Sequence, residues 1–210
     1  MNELDIFELL VVDALGNVHQ SYYETVYRNI DSFRAALSSR QGRFAENDFF
    51  RYGERVFCYE FYHQLRVLID NYRTEHTKFL SGAELQGEVE KMQILGLIER
   101  FQLASLSREF VPDFLMHSPG NAELHPFVLE VKCISELSSY AIFHDLEKLD
   151  EFITRYRYQR GLFISVNSQF PEFNETIGKL RPEIDGLAGR NRIKILQKTN
   201  QNTDCNIISL

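Results

Sequence analysis

The chain has 210 residues, which suffices for one domain with a substantial core and an appendage. Its 23 Lys and Arg residues against 30 Asp and Glu residues give a formal net charge of −7, which weighs against strong non-specific binding of DNA. The three cysteines are scattered and form neither a metal-ligand spacing nor a disulfide framework, and no apolar run reaches bilayer length. Since the amino terminus also lacks the pattern of a signal peptide, we expect a cytoplasmic protein.

Residues 1–45 are predicted to form a helical extension that precedes the principal domain, residues 46–210. Residues 6–12 are apolar, and a second helix is indicated by apolar side chains at helical spacing: Tyr23, Val26, Tyr27, Ile30 and Phe33. We expect the extension to pack on the principal domain or to form a dimer contact.

The principal domain begins with a predicted helix over residues 54–72, with one apolar stripe. Glu60 and Gln64 border that stripe one turn apart, while Glu54 lies at the helix start. A carboxylate at the border can reach inward while its helix stays packed, so we prefer Glu60 to Glu54 as a functional acid. A surface acid paired with an arginine is the alternative for either residue.

A first strand is expected within residues 78–85, and residues 89–101 have the pattern of a helix that is either an insertion or a replacement for that strand. Two apolar runs follow at 110–116 and 127–134, and the turn residues 118–121 separate them. Both runs are predicted to be strands.

The two predicted strands carry charged residues in apolar surroundings. Asp113 lies in the first strand, and Glu130 and Lys132 share one face of the second because strand side chains alternate. Charge is costly in a strand covered on both faces unless it is paired or binds a cation. We therefore predict a site for a hard divalent cation beside a lysine; a solvated ion pair on an exposed sheet is the alternative.

A helix at 141–156 and a buried strand at 161–166 follow, as in a parallel crossover. On this helix Asp145 and Lys148 have the spacing of an ion pair, and a role of the two residues in orienting substrate or Lys132 is the alternative. From residue 168 we expect less regular structure, a last edge strand near 192–196 and a frayed tail at 199–206.

Pro112-Asp113 followed by Glu130-Val131-Lys132 resembles the motif of the PD-(D/E)xK nuclease superfamily, and the resemblance covers about residues 54–167. It implies a restriction-endonuclease-like α/β fold: a central mixed sheet flanked by helices in the order α-β-β-β-α-β, here with extra amino-terminal helices. It also implies a Mg²⁺-dependent nuclease, with Mn²⁺ as a substitute, whose substrate is in the first place DNA and whose role is restriction, defence or repair.

Under this resemblance the catalytic residues are Asp113, Glu130, Lys132 and Glu60. The metal ligands are Asp113, Glu130, the carbonyl of Val131 and, directly or through water, Glu60; Lys132 acts by electrostatic positioning. The candidates for substrate contact are Gln64, Lys148, Arg155, Arg157 and Arg160. Tyr156 and Tyr158, interleaved with these arginines, could stack on bases.

Neither a zinc finger nor a clear helix-turn-helix is recognisable, so specificity is expected from core loops, a homodimer or a partner subunit. The alternative function is a catalytically silent nuclease-like domain that binds nucleic acid or a partner protein. The net acidity and the amino-terminal helices favour this alternative, and the intact motif argues against it.

Overall fold

A computed structural model describes residues 1–23, 53–87, 111–118 and 125–210, together with two short strands at Thr25–Val26 and Phe50–Arg51. The helices of this part are α1 (Glu3–Asn17), α2 (Gln20–Tyr23), α3 (Glu54–Glu75), α4 (Ser139–Arg155), α5 (Phe170–Lys179) and α6 (Arg181–Ile184), with a 3-10 turn at Arg190–Arg192. The strands are β1 (Thr25–Val26), β2 (Phe50–Arg51), β3 (Glu84–Gly87), β4 (Phe114–His117), β5 (Phe127–Cys133), β6 (Arg160–Val166), β7 (Ile193–Lys198) and β8 (Asn206–Ser209).

A six-stranded mixed sheet in the order β3-β4-β5-β6-β7-β8 forms the centre of the protein. Strands β5, β6 and β7 are parallel, and β3, β4 and β8 run antiparallel to their neighbours. Helix α4 connects the parallel strands β5 and β6, as the crossover rule requires. The prediction of an α/β protein with a mixed central sheet is therefore confirmed.

Two core clusters cover the two faces of the sheet. On one face, buried side chains of α1 and α3 pack against Leu129 and Val131 of β5, because alternate residues of a strand point to the same side. On the other face, α4, α5 and α6 pack against Val128 of β5 and Phe163 of β6. Apolar side chains on both faces make β5 and β6 central strands, as predicted.

The amino-terminal helix is tied to the sheet by charge as well as by apolar contact. Glu8 of α1 accepts hydrogen bonds from Arg160 at 2.5 Å and from Lys194 at 2.6 Å. Helices were predicted here, and α1 and α2 confirm this in part, whereas β1 is a strand that pairs with β2 where a helix was expected. Residues 27–49 lie outside the described residues.

The first core strand begins later than predicted. The chain turns at 77–82, where Leu80 and Gly82 have positive φ angles of 43° and 81°, and a left-handed backbone cannot continue an extended strand. Strand β3 then pairs with β4. The helix predicted at 89–101 lies outside the described residues.

The carboxyl-terminal third is more regular than predicted. Helices α5 and α6 each carry a proline in the first turn, where a missing N–H costs nothing, and their apolar residues Phe173, Ile177 and Ile184 are buried. Strand β7 is internal instead of being the edge, because β8 pairs with it antiparallel. The segment expected to fray ends in that pairing.

None of the described helices combines the length and the apolar character that a membrane span requires.

Strand β5 is longer than its pairing with β4. Strand β4 begins at Phe114, opposite Leu129, whereas β5 continues to Cys133. Residues 130–133 of β5 therefore have β6 on one side and no β4 partner on the other.

Candidate active site

Two carboxylates take the place of the missing strand beside the end of β5. Asp113 accepts a hydrogen bond from the Val131 N–H at 2.8 Å, and Glu54 of α3 accepts one from the Cys133 N–H at 3.3 Å. These N–H groups are two residues apart and therefore point to the same edge of the strand. The Val131 carbonyl points to that edge as well, so it lies on the same side as both acids.

The side chains of Glu130 and Lys132 project toward α4, where they contact Lys148 and Asp145. The Lys148 ammonium lies 2.7 Å from Glu130 Oε2, and both lysines approach Asp145, each with Nζ at 3.5 Å from a carboxylate oxygen. Lys132 also lies 3.9 Å from Glu54. The six side chains that meet here are called the β5 charge cluster: Glu54, Asp113, Glu130, Lys132, Asp145 and Lys148.

Burial shifts the protonation equilibria of the two motif acids in the same direction. Desolvation raises the pKa of Asp113, against the opposing effects of the Val131 N–H and of Lys132. The pKa of Glu130 is raised well above its ordinary value, first by burial and then by the charge of Asp113. Because ionised Asp113 disfavours the charged form of Glu130, a cation near both carboxyls would favour ionisation of Glu130.

Lys132 keeps its charge in these surroundings. Desolvation lowers its pKa, but the carboxylates of Asp145, Glu54, Glu130 and Asp113 together outweigh that effect and raise the pKa. A lysine with a raised pKa is protonated at neutral pH and cannot act as a general base. Its ammonium is therefore a fixed positive charge.

Glu130 and Asp113 supply oxygen donors of the kind that binds a hard divalent cation. Glu130 is 1% exposed, and its Oε1 has no hydrogen-bond partner in the described part of the chain. A buried carboxylate oxygen without a partner is costly unless a cation binds it. Asp113 and the Val131 carbonyl are further oxygen donors of the hard type that Mg²⁺ prefers.

Within the described residues, no three His, Cys, Asp or Glu side chains are grouped so that they could hold a metal ion. The two motif acids and one backbone carbonyl would therefore leave part of the coordination shell to water and substrate. Mg²⁺ usually keeps several waters and binds through one or two carboxylates. The donor set is thus compatible with Mg²⁺, and for Zn²⁺ it lacks the Cys and His ligands that this ion favours.

A cleft of about 560 Å³ opens beside the cluster. Its lining among the described residues includes Glu54, Cys58, Tyr59, Gly87, Asp113 and Phe114. Burial strongly raises the pKa of the Cys58 thiol, so this cysteine is a protonated thiol at neutral pH and a poor nucleophile. The cleft offers a substrate access to Asp113 and Glu54 without offering it a reactive cysteine.

The sequence and the structure were compared with known families, curated proteins and solved structures. No family model, curated protein or solved structure matches the chain. The features that bear on function are therefore the β5 charge cluster and the motif formed by its residues Asp113, Glu130 and Lys132.

The structure places the motif residues Asp113, Glu130 and Lys132 at one end of β5, and Lys148, Asp145 and Glu54 lie beside them. The preferred helix acid, Glu60, is not among them: it accepts a hydrogen bond from Gln64 at 2.6 Å on the same helix. Glu54 and Glu60 are six residues apart, about 9 Å along the axis and on different sides of the helix. Glu54 is thus the acid that α3 brings to the cluster.

The arginines chosen as substrate contacts lie elsewhere. Arg160 pairs with Asp5 and Glu8 of α1, and its register partner in β5 is Phe127, five residues or about 16 Å before Lys132. Arg155 lies 4.0 Å from Glu151, and Arg157 is exposed at the same end of the sheet. The expected stacking tyrosines, Tyr156 and Tyr158, are buried in the core, so they cannot stack on bases.

Asp145 was predicted in the first place as the partner of Lys148, with a role in orienting Lys132 as the alternative, and its carboxylate lies 3.5 Å from both ammonium groups. The available signal was its position on the crossover helix, since such a helix packs against the strand that it follows. Asp145 is 4% exposed, which is rare for an aspartate that lacks a cationic partner.

The protein without metal is expected to lose stability as the pH rises through the folded-state pKa values of Asp113 and Glu130. Both values are raised above the ordinary 3.8 and 4.5, so the folded state binds these protons more tightly than the unfolded state. Their contribution to stability is complete below the ordinary values and disappears with rising pH, at about 1.4 kcal/mol per pKa unit.

Urea unfolding of the wild type and of Asp113→Asn over a pH series measures this effect. The free energy of unfolding of the variant should fall less steeply with pH. Asp5→Asn is the control, because the hydrogen bond from Arg160 lowers the pKa of Asp5. Its free energy of unfolding should change with pH in the opposite sense relative to the wild type, that is, fall more steeply as the pH rises. Equal slopes for the wild type and Asp113→Asn would contradict the expectation.

Proposed function

We propose that the protein is a metal-dependent nuclease of the PD-(D/E)xK type with a restriction-endonuclease-like core, acting in the first place on DNA. The observation that carries the proposal is the hydrogen bond of Asp113 to the N–H of Val131, the residue between Glu130 and Lys132, where β5 extends beyond its pairing with β4. The order α3-β3-β4-β5-α4-β6 along the chain supports it, because it agrees with the α-β-β-β-α-β order of that superfamily.

Asp113, Glu130 and the Val131 carbonyl would hold Mg²⁺ or Mn²⁺, with Glu54 beside them. The bound ion would supply an activated water and offset the charge that grows on the phosphate during hydrolysis. The chain contributes the placement of the ligands: the Val131 N–H holds Asp113, and the Lys148 ammonium holds one oxygen of Glu130. Both carboxylates are thereby oriented before any substrate binds.

Lys132 would contact a non-bridging oxygen of the scissile phosphate. Asp145 and Glu54 flank its ammonium on two sides, which holds its position and its charge. A fixed cation in a partly desolvated site stabilises a developing negative charge more strongly than it would in water. The substrate would enter through the cleft that Asp113 and Glu54 line.

Cleavage of labelled duplex DNA, single-stranded DNA and RNA tests the proposal. The wild type is assayed with Mg²⁺, with Mn²⁺ and with a chelator, beside Lys132→Ala and Asp113→Ala. Cutting that requires metal and falls at least about 100-fold in both variants would support a nuclease and identify its substrate. Cutting at the wild-type rate in the variants would point to a contaminant, and no cutting on any substrate would favour the catalytically silent binding domain.

Glu54→Gln is expected to lower the rate of cleavage about 10- to 100-fold, the usual effect of removing a group that orients a metal site. Glu54 holds the Cys133 N–H and approaches Lys132, whereas Glu60 pairs with Gln64 on the same helix. Glu60→Gln on the same helix is therefore the matched control and should leave the rate unchanged. A loss in the Glu60 variant alone would restore Glu60 as the functional helix acid.

A further inference from the structure

We infer that the site takes a single divalent ion and that the Lys148 ammonium occupies the place of a second one. The inference rests on the proposed function and concerns how many metal ions that site binds. It follows from the contacts of Lys148, from the free oxygen of Glu130 and from the charge of the cluster.

Oxygen atoms of two carboxylates and one backbone carbonyl surround the Lys148 ammonium, as ligands surround a bound cation. Its Nζ lies 2.7 Å from Glu130 Oε2 and 3.5 Å from Asp145 Oδ1, and it donates to the Val111 carbonyl at 3.5 Å. Two carboxylates and one backbone carbonyl are also typical ligands of a hard divalent ion. Lys148 is 8% exposed, so its charge is compensated by these oxygens and hardly by solvent.

Glu130 therefore has one occupied oxygen and one free oxygen. Oε2 is bonded to Lys148, while Oε1 has no partner in the described residues, although Glu130 is 1% exposed. A carboxylate that bridges two cations uses its two oxygens in this way. One cation position of the bridge already contains the ammonium, and the other, at Oε1, is left for a metal ion.

The charge of the β5 charge cluster agrees with one ion. Its four carboxylates and two ammonium groups leave two negative charges when all are ionised, and one divalent ion neutralises them. A second divalent ion beside Glu130 would have to share these oxygen ligands with Lys148, at a distance where like charges repel strongly. Replacing Lys148 by a neutral side chain removes this repulsion and makes the net charge of the cluster more negative by one unit.

Counting bound Mn²⁺ tests the inference without any measurement of activity. The full chain, freed of metal, is titrated by calorimetry and by electron paramagnetic resonance as the wild type, Lys148→Met, Lys148→Gln and Lys148→Arg. The Gln variant is a second neutral substitution that keeps hydrogen-bond donors toward the two acids. The Arg variant keeps the positive charge and is the matched control.

We expect one Mn²⁺ per chain in the wild type and in Lys148→Arg, and two in the folded neutral variants. The two ions would give an exchange-coupled spectrum, because ions in paired sites lie about 3.5–4 Å apart. Two ions in the wild type, or one ion in a folded neutral variant, would overturn the inference. If neither neutral variant folds, the wild-type count decides alone: one ion supports the inference and two overturn it.

The proposed function fails in a different way. Absence of Mn²⁺ binding from the wild type and from every variant would remove the metal site itself, and with it both proposals. One ion in the wild type, lost in Asp113→Asn, together with one ion in Lys148→Gln, would keep the metal site and overturn only the role of Lys148.

Discussion

Lys132→Ala is expected to lower metal-dependent cleavage about 10²- to 10³-fold, while Mn²⁺ still binds to the variant. The Lys132 ammonium lies 3.5 Å from Asp145 and 3.9 Å from Glu54, and as a cation it is not a metal ligand. Its loss removes a fixed charge aimed at the phosphate, and losing one such transition-state contact typically costs this factor. Single-turnover cleavage and Mn²⁺ titration of the same preparation measure the two effects.

Asp113→Asn is expected to lose both cleavage and Mn²⁺ binding, which separates the role of the metal ligand from that of the lysine. An amide can still accept the hydrogen bond from Val131 N–H, so the backbone contact at 2.8 Å survives while the charge does not. Lys194→Ala is a matched lysine control, since Lys194 pairs with Glu8 of α1 and not with the cluster. Wild-type cleavage by Lys132→Ala, or a similar loss in Lys194→Ala, would contradict the assignment.

Local patterns predicted the elements that carry the motif. Glu130 and Lys132 share a face of β5 because side-chain alternation in a strand depends only on sequence position, and helix α4 follows from its apolar stripe. The assignment of the helix acid failed for a non-local reason. Which acid of α3 reaches the site depends on where β5 leaves unpaired N–H groups, and that is set by the start of β4 at Phe114.

The contacts of Arg160 and Lys194 are non-local as well. Arg160 and Lys194 have their acidic partners on α1, more than 150 positions earlier in the chain, where local charge patterns cannot show them. In the carboxyl-terminal third, where less regular structure was expected, Pro171 and Pro182 lie in the first turns of α5 and α6, a position that suits proline. In a protein of net charge −7, Arg160 and Lys194 thus join the sheet to α1 by ion pairs.

The second large effect is expected on stability: Lys148→Met should lower the free energy of unfolding by about 3–5 kcal/mol in the absence of metal. Removing one partner of a buried ion pair leaves the other charge uncompensated, and Glu130 is 1% exposed. Burial already raises the pKa of Glu130, so in the variant this carboxyl can escape by taking up a proton. The loss should therefore be smaller at acidic pH and grow as the pH rises.

A double-mutant cycle with Glu130→Gln distinguishes this cause from lost packing. In the double variant no charge is left without a partner at this position, so we expect a coupling of about 0.5–3 kcal/mol that recovers part of the loss. The pair Lys179–Glu175 has the same 2.7 Å separation but side chains that are 71% and 67% exposed, which makes Lys179→Met a matched control with a far smaller effect. Urea unfolding at two pH values measures all of these variants. Similar losses for Lys148→Met and Lys179→Met would mean that burial does not determine how much the Lys148–Glu130 pair stabilises the protein. The argument that Lys148 orients Glu130 for metal binding would then fail.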